Sequence, residues 1–136
     1  MGLHTPALQP LATFASALDE HLAALQARDI TRFAATLVHR DDVQTVGPDG
    51  RVTQGFEAVV DAHAAWFADS ADWRFTARER WRHVTSDTGL VLLEVDYRHA
   101  PEAEAIRFLL LLAFVCENGS WRMLFDQNTP LKPPLT

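Results

Sequence analysis

The chain contains 136 residues, of which 48% are hydrophobic and 22% charged, and its formal net charge is −6. These values are typical of one globular domain with a core of its own, so we expect residues 1–136 to form a single domain. The negative charge argues against nucleic acid as a partner, because phosphate binding requires a basic surface.

The sequence also predicts the cellular compartment of the protein. No apolar run approaches the roughly 20 residues that a membrane-spanning helix needs, and the amino terminus lacks a secretory signal pattern. Cys116 is the single cysteine, which excludes a disulfide within the chain and fits a reducing cytosol. We therefore expect a cytoplasmic protein without a membrane partner.

Three amphipathic helices are predicted in the first half of the chain. Thr5 and Pro6 can begin a helix that continues to about Arg28, because leucines and Phe14 recur there at three- and four-residue spacing. Asp29 can cap a second helix over residues 30–37. A short ribbon over residues 43–46 and 51–53, with a turn at 47–50, precedes a third helix at 56–67. The spacing of apolar residues in this third helix places His63 on its buried face.

Four long antiparallel strands are predicted in the second half, over residues 73–84, 90–99, 105–116 and 121–128. The Asn118-Gly119 pair between the last two is the strongest hairpin signal in the sequence. The strand before it is apolar on both faces, which indicates cover on both sides. This order predicts an α+β fold, with three helices on one face of a strongly curved antiparallel sheet, followed by a Pro-rich tail at 130–136. A curved sheet over helices leaves an apolar hollow that suits a small ligand.

Strict alternation assigns side chains to the two faces of the strands. In the strand at 73–84, the more apolar face carries Phe75, Ala77, Glu79, Trp81 and His83, and the other carries Thr76, Arg78, Arg80 and Arg82. In the last strand, Asp126 and Asn128 lie opposite Trp121 and Phe125. The charged outer faces of the middle strands, interleaved with apolar ones, predict a homodimer formed sheet to sheet.

Three stretches of the sequence resemble the nuclear transport factor 2-like (NTF2-like) superfamily, and its SnoaL-like and ketosteroid-isomerase-like branches most of all. They are His-Leu-Ala-Ala-Leu-Gln-Ala-Arg-Asp at 21–29, the segment from Asp41-Asp42-Val43 through Gly47 to Gly55-Phe56-Glu57-Ala58-Val59, and Asn-Gly-Ser-Trp-Arg-Met-Leu-Phe-Asp-Gln-Asn at 118–128. The resemblance implies a cone of three helices on a curved sheet. This fold hosts isomerases, cyclases, hydratases and non-catalytic binding modules, so it implies no single activity.

The resemblance also implies that most of the catalytic residues of ketosteroid isomerases are absent from this chain. His21 aligns with the helix-1 tyrosine that ketosteroid isomerases use as an oxyanion donor. Gly47 or Val46 stands where those enzymes carry a proton-shuttling aspartate, and Leu112 stands where they carry a protonated one. Steroid isomerisation by that mechanism is therefore not expected. SnoaL-type cyclases use a carboxylate with a histidine partner, and this chain has residues of both kinds.

Four residues are candidates for acid–base chemistry: Asp126, His21, His63 and Glu79. Histidine exchanges protons near neutral pH, because its ordinary pKa is about 6.5. The alternative for His63 is a core histidine bonded to a backbone carbonyl. Asp126 is the best candidate base if its face looks into the hollow, and the alternative is an ion pair with Arg107 or Arg122. A buried Glu79 would need a partner or a proton.

The remaining expectations concern the ligand. The predicted substrate-binding residues are Trp66, Phe67, Trp81, Tyr97, Arg107 and Asn128, with the aromatic ones shaping the cavity. The six histidines have no metal-binding spacing, so we expect no metal and no cofactor. The sequence thus predicts a pocket for a small apolar organic molecule, with isomerase, cyclase or hydratase chemistry. The alternative is a non-catalytic, dimeric ligand-sensing or protein-interaction domain.

Overall fold

A computed structural model describes residues 11–132, and in that range the chain forms three helices and one six-stranded sheet. The elements are α1 (Phe14–Ala27), α2 (Ile30–Ala35), β1 (Gln44–Val46), β2 (Val52–Gln54), α3 (Phe56–Phe67), β3 (Arg74–Val84), β4 (Thr88–Arg98), β5 (Ile106–Glu117) and β6 (Ser120–Pro130). The strand order is β2-β1-β6-β5-β4-β3. The predicted α+β class is confirmed, with one correction: β1 pairs with β6 in parallel, while the other neighbours are antiparallel.

The helix ends follow the capping signals in part. Asp29 accepts a hydrogen bond from the backbone N–H of Arg32 and caps α2 as predicted. The predicted start of the first helix at Thr5 lies outside the described residues, and α1 begins at Phe14 with Thr13 as its cap. α2 ends at Ala35, short of the predicted residue 37, because Thr36 and Val38 exchange backbone hydrogen bonds with Met123.

The predicted hairpin between β5 and β6 is confirmed. Asn118 and Gly119 form its two-residue turn with φ of 53° and 77°, in the left-handed region that this turn requires. At the far end, Pro130 still pairs with Phe108. The predicted tail at 130–136 therefore starts after Pro130, and residues 133–136 lie outside the described range.

A β-bulge in β6 changes the face on which Asp126 lies. Ala113 of β5 pairs with Phe125, but its neighbour Phe114 pairs with Met123, so Leu124 is an extra residue in β6. An extra residue reverses the alternation of the side chains that follow it. Trp121, Met123 and Asp126 consequently all point towards the helices. The prediction that Asp126 lies opposite Trp121 was wrong for this reason.

A second bulge, in β3, reverses the predicted faces of that strand after Glu79, whereas Phe75, Ala77 and Glu79 share one face as predicted. Glu79 pairs with Leu93 and Trp81 pairs with Leu92, which leaves Arg80 as the extra residue. Trp81 turns to the outer face of the sheet and is 49% exposed. Arg82 turns to the inner face, where its guanidinium lies 5.2 Å from the ring centre of Phe14.

The core lies between the helices and the inner face of the sheet. Phe33, Leu112, Phe114 and Met123 are fully buried there. Gly89 of β4 lies against the ring of Phe14, so closely that a Cβ atom at this position would overlap Cδ1 of the ring. The inner face of the sheet is therefore covered by α1 near Gly89.

Candidate functional site

A cavity of about 310 Å³ lies between α3, the end of β1 and the inner face of the sheet. Its lining combines aromatic walls with a few polar groups, which is the usual composition of a small-molecule site. The lining residues are Thr45, Gly47, Pro48, His63, Trp66, Tyr97, Phe108, Asp126 and Asn128. Five of the predicted site residues therefore meet in one cavity, namely Asp126, His63, Trp66, Tyr97 and Asn128.

Asp126 is the most unusual polar group in this cavity. Its position in β6 places it between Thr45 of β1 and Leu112 of β5, which are its partners on the two neighbouring strands. The side chain is 7% exposed, and its Oδ1 atom is buried with no hydrogen-bond partner among residues 11–132. Burial raises the pKa of Asp126 to about 7, although the backbone amide of Val46 opposes part of this rise. The ion pair with Arg107 or Arg122 that the sequence left open does not form.

His63 lines the cavity and has one ring nitrogen free to accept a hydrogen bond. Its Nδ1 atom lies 2.8 Å from the carbonyl oxygen of Val59 and donates to it, so the neutral ring carries its free lone pair on Nε2. Burial lowers the pKa of His63, which keeps the ring neutral at pH 7. The ring also stacks on Phe33, with the centres 4.3 Å apart. His63 is thus bonded to a backbone carbonyl and lines the cavity at the same time.

His21 is buried in the core and does not line the cavity. Its Nδ1 atom lies 2.8 Å from Oγ1 of Thr36, and that hydroxyl donates to the carbonyl oxygen of Phe33 at 2.6 Å. The Thr36 oxygen therefore accepts from His21, and burial lowers the pKa of His21 to about 3. Phe33 contacts the rings of both His21 and His63. His21 supports the wall of the cavity and does not reach a ligand.

Asn128 and Tyr97 supply further polar groups at the wall. The Nδ2 atom of Asn128 donates to the carbonyl oxygen of Val46 at 2.8 Å, which holds the amide between β6 and β1. The hydroxyl of Tyr97 lies 3.3 Å from Nδ1 of His99, at an exposed position. Both residues have further hydrogen-bonding capacity for a ligand.

Four predicted site residues lie elsewhere, so these positions were wrong. Glu79 is exposed and paired with Arg82 at 2.7 Å, and this partner lowers its pKa. Trp81 is on the outer face because of the bulge at Arg80. Arg107 is also on the outer face and contacts Asp96 at 3.1 Å.

Phe67 is the fourth of these residues, and it packs in the core. Its ring meets Phe33 edge to face, with centres 5.7 Å apart. The prediction that the aromatic pair Trp66 and Phe67 lines the cavity therefore holds for Trp66 alone. Neighbouring residues of a helix point about 100° apart, so both cannot face one small cavity.

Signals in the sequence are weaker for the other lining residues. Phe108 shares the inner face of β5 with Leu110 and Leu112, but a strand apolar on both faces hides which face is inner. Gly47 and Pro48 belong to the β1–β2 turn, and a turn motif does not say what it packs against.

Two further features of the described residues concern metal ions and membranes. Within residues 11–132, no group of three or more His, Cys, Asp or Glu side chains is placed to hold a metal ion. No helix in that range is long and apolar enough to cross a membrane.

The profile of the SnoaL-like domain matches residues 15–128. The chain therefore belongs to the SnoaL-like domain family, and the resemblance seen in the sequence is confirmed. A comparison with curated protein sequences finds no significant match.

Several solved structures have the same fold. A candidate calcium/calmodulin-dependent protein kinase type II association domain from Thiobacillus denitrificans has a TM-score of 0.80 at 21% identity, with 88% of this chain and 96% of that chain covered. A candidate dehydratase of the NTF2-like family from Streptomyces avermitilis has a TM-score of 0.72 at 17% identity, with 86% and 93% covered. A ketosteroid isomerase-like protein from Erwinia carotovora atroseptica has a TM-score of 0.71 at 16% identity, with 92% and 98% covered. These similarities establish the NTF2-like fold.

Proposed function

We propose that this chain binds a small, largely apolar organic molecule in the cavity and catalyses a proton transfer on it without a cofactor. Isomerisation, cyclisation and hydration are the reaction types in question. The observation that carries the proposal is Asp126, a buried carboxyl with one oxygen unpartnered among residues 11–132, a pKa raised to about 7 and an apolar cavity in front of it. A group with this pKa can both accept and return a proton at neutral pH.

Asp126 is the proton carrier in this proposal. Its ionised carboxylate takes a proton from a carbon beside a substrate carbonyl, so that the C–H bond breaks, an O–H bond forms and the electron pair moves into an enolate. The carboxylic acid then returns the proton to a different carbon, or to a leaving hydroxyl that departs as water. Tyr97, whose side chain lines the cavity, is the proposed donor to the enolate oxygen.

His63 has a different role in the proposal. Because its Nδ1–H is bonded to the Val59 carbonyl, its Nε2 atom accepts a hydrogen bond and does not protonate the substrate. A substrate hydroxyl or enol would be the matching donor. His63 would thus orient a hydroxyl-bearing substrate beside Asp126.

The test detects proton transfer even when the final product is unidentified. A panel of apolar ketones and β-hydroxy ketones is incubated with the protein in D₂O, and deuterium incorporation beside the carbonyl is followed by mass spectrometry. The wild type should exchange at least one class of compound, and Asp126→Asn should not, while still binding it. Glu79→Gln is the matched control, because it neutralises an exposed carboxylate outside the cavity. Equal exchange by wild type and Asp126→Asn would reject Asp126 as the proton carrier.

A non-catalytic ligand-binding domain is the second candidate. It is favoured by the local hydrogen bonds of both histidines, since a core histidine needs no substrate to satisfy it. In that case the same panel would bind with no exchange above the rate in buffer. Binding measured in parallel by ligand-observed NMR separates the two candidates.

We further propose that two copies associate through the outer face of the sheet. Half-buried apolar residues cover the middle of this face, and they are Leu90, Leu92, Leu109, Leu111, Ala113, Leu124 and Phe125. Beside them, Glu94 pairs with Arg78 and Arg80, and Trp81 is 49% exposed. An apolar patch with a charged rim is typical of such interfaces. Light scattering should give a dimer for the wild type and a monomer for Leu111→Glu, and a monomeric wild type would contradict the proposal.

A further inference from the structure

A second, smaller cavity of about 160 Å³ adjoins the main one on the side of the β1–β2 turn. Thr45, Gly47, His63 and Trp66 line both cavities, so the two lie side by side. We call the smaller one, which is the more open to solvent, the vestibule.

The part of the vestibule that is not shared with the main cavity includes two charged side chains, although the vestibule as a whole is mostly apolar. This part is lined by Asp49, Arg51, Thr53 and Ala62. Oδ1 of Asp49 accepts a hydrogen bond from the backbone N–H of Arg51 at 2.9 Å, which engages this carboxylate in the turn. Among residues 11–132, the guanidinium of Arg51 has neither an ion pair nor a side-chain hydrogen bond. Within that range, the vestibule therefore presents one unpaired cation next to an apolar chamber.

The main cavity, unlike the vestibule, suits an uncharged part of a ligand. Its walls are mostly apolar, and its buried carboxyl, Asp126, has a pKa raised to about 7. A negative charge on the ligand would be desolvated there, and it would lie near a carboxylate at higher pH. The main cavity thus disfavours an anionic group, whereas Arg51 in the lining of the vestibule offers a partner for one.

We propose that the ligand of this protein is an amphiphilic organic anion, with an apolar body in the main cavity and a carboxylate or similar anionic group in the vestibule paired with Arg51. This inference rests on the proposed function for the location of the apolar body. It adds the chemical class of the ligand and its direction of binding. Arg51 is then the residue that selects charged over uncharged ligands.

Two fluorescent probes with the same aromatic skeleton test the inference. The first is 8-anilinonaphthalene-1-sulfonate, which carries one negative charge, and the second is N-phenyl-1-naphthylamine, which is uncharged. We expect both probes to compete for one site on the wild type, with the sulfonate bound more tightly. The advantage of the sulfonate should decrease as salt is added, because the pair with Arg51 is exposed to solvent.

Variants of the turn assign the effect to Arg51. Arg51→Glu should weaken binding of the sulfonate by about fivefold or more, the upper range for an exposed ion pair, and leave the uncharged probe unchanged. Arg51→Lys should stay within about twofold of the wild type, since the charge is retained. Asp49→Asn, which removes the only carboxylate that lines the vestibule within residues 11–132, should bind the sulfonate equally well or more tightly.

Each other outcome overturns the inference. If Arg51→Glu weakens both probes equally, the residue holds the turn in place and does not select charge. If the probes do not compete, or if neither binds, the vestibule is not an extension of the main cavity. The failure of the proposed function is recognised separately, because deuterium exchange by the wild type and Asp126→Asn does not depend on Arg51.

Discussion

Met123 and Asp126 project from the same face of β6 although they are three positions apart in the sequence. In a regular strand two such positions point to opposite faces. The extra residue Leu124 restores them to a common face and lets the carboxyl enter the cavity beside Thr45. The residue paired with Asp126 on β5 is the buried, apolar Leu112, so this strand offers the carboxyl no polar side chain at the paired position.

Removing the carboxyl should change how stability depends on pH. The pKa of Asp126 is about 7 in the folded chain, against an ordinary value of 3.8. The folded state thus binds more protons than the unfolded state between these values, and the carboxyl makes the wild type less stable as the pH rises through about 7. At ~1.36 kcal/mol per pKa unit, this loss is on the order of 4 kcal/mol.

The measurement compares urea unfolding of wild type and Asp126→Asn at pH 4.5 and pH 8.5. The variant should gain stability relative to the wild type at the higher pH, because its amide does not ionise. Taking the difference between the two proteins cancels the titration of all other groups. A difference that is the same at both pH values would show that Asp126 ionises at its ordinary pKa.

His21 should make the protein less stable as the pH falls, which is opposite to the effect of Asp126. Its pKa is lowered to about 3 by burial, so the unfolded state binds the additional proton as the pH falls below the ordinary value of 6.5. The lowered pKa of His21 should reduce the free energy of unfolding of the wild type by on the order of 3 kcal/mol between pH 6.5 and pH 4. His21→Gln should flatten the acid side of the stability profile, and the exposed His39→Gln serves as its control. Parallel profiles for all three proteins would contradict a neutral, buried His21.

The contact between Gly89 and Phe14 gives a prediction about packing. A methyl group at Gly89 would overlap Cδ1 of Phe14, so Gly89→Ala should destabilise the fold by about 1–3 kcal/mol. Phe14→Leu removes the ring atoms that cause the clash. The double variant should therefore be more stable than the sum of the two single effects. Additive effects in a double-mutant cycle of chemical denaturation would show that the clash is not with Phe14.

The pH dependence of turnover follows from the proposed role of Asp126. The carboxylate must be ionised to accept a proton, so the rate at saturating substrate should rise with pH and level off above about 7. Burial lowers the pKa of His63 below its ordinary 6.5, so the ring is neutral at the pH where the rate levels off. The rate of deuterium exchange measured from pH 5 to 9 provides the profile. A rate that falls over this interval would assign the acid form of Asp126 to the limiting step.

The elements could be predicted from the sequence because their signals are local. Asp29 caps α2 and Asn118-Gly119 turns the last hairpin as expected, and the spacing in the third helix correctly places His63 inward. The family resemblance adds the curved sheet and its hollow. The cap, the turn and the inward face of the helix are each set by residues that are close together in the sequence.

The residues of the site were harder to predict because two bulges reverse the alternation. Without the extra residue Arg80, Glu79 and Trp81 would share the inner face, and without Leu124, Asp126 would lie opposite Trp121. A bulge depends on the register between two strands, so neither strand shows it in its own sequence. Asp126 can be identified as a candidate on chemical grounds, whereas the face on which it lies cannot.

The pKa of Asp126 is the quantity on which the proposed chemistry most directly depends. It can be measured by carbon-13 NMR of the side-chain carboxyls in labelled protein, titrated from pH 3 to 9, with Asp126→Asn used to assign the resonance. We predict a midpoint of about 7 for this carboxyl, and a return towards about 4 in the unfolded protein. A midpoint near about 4 in the folded protein, the ordinary value for an aspartate, would mean that Asp126 is hydrated or paired, and would contradict the proposed proton carrier.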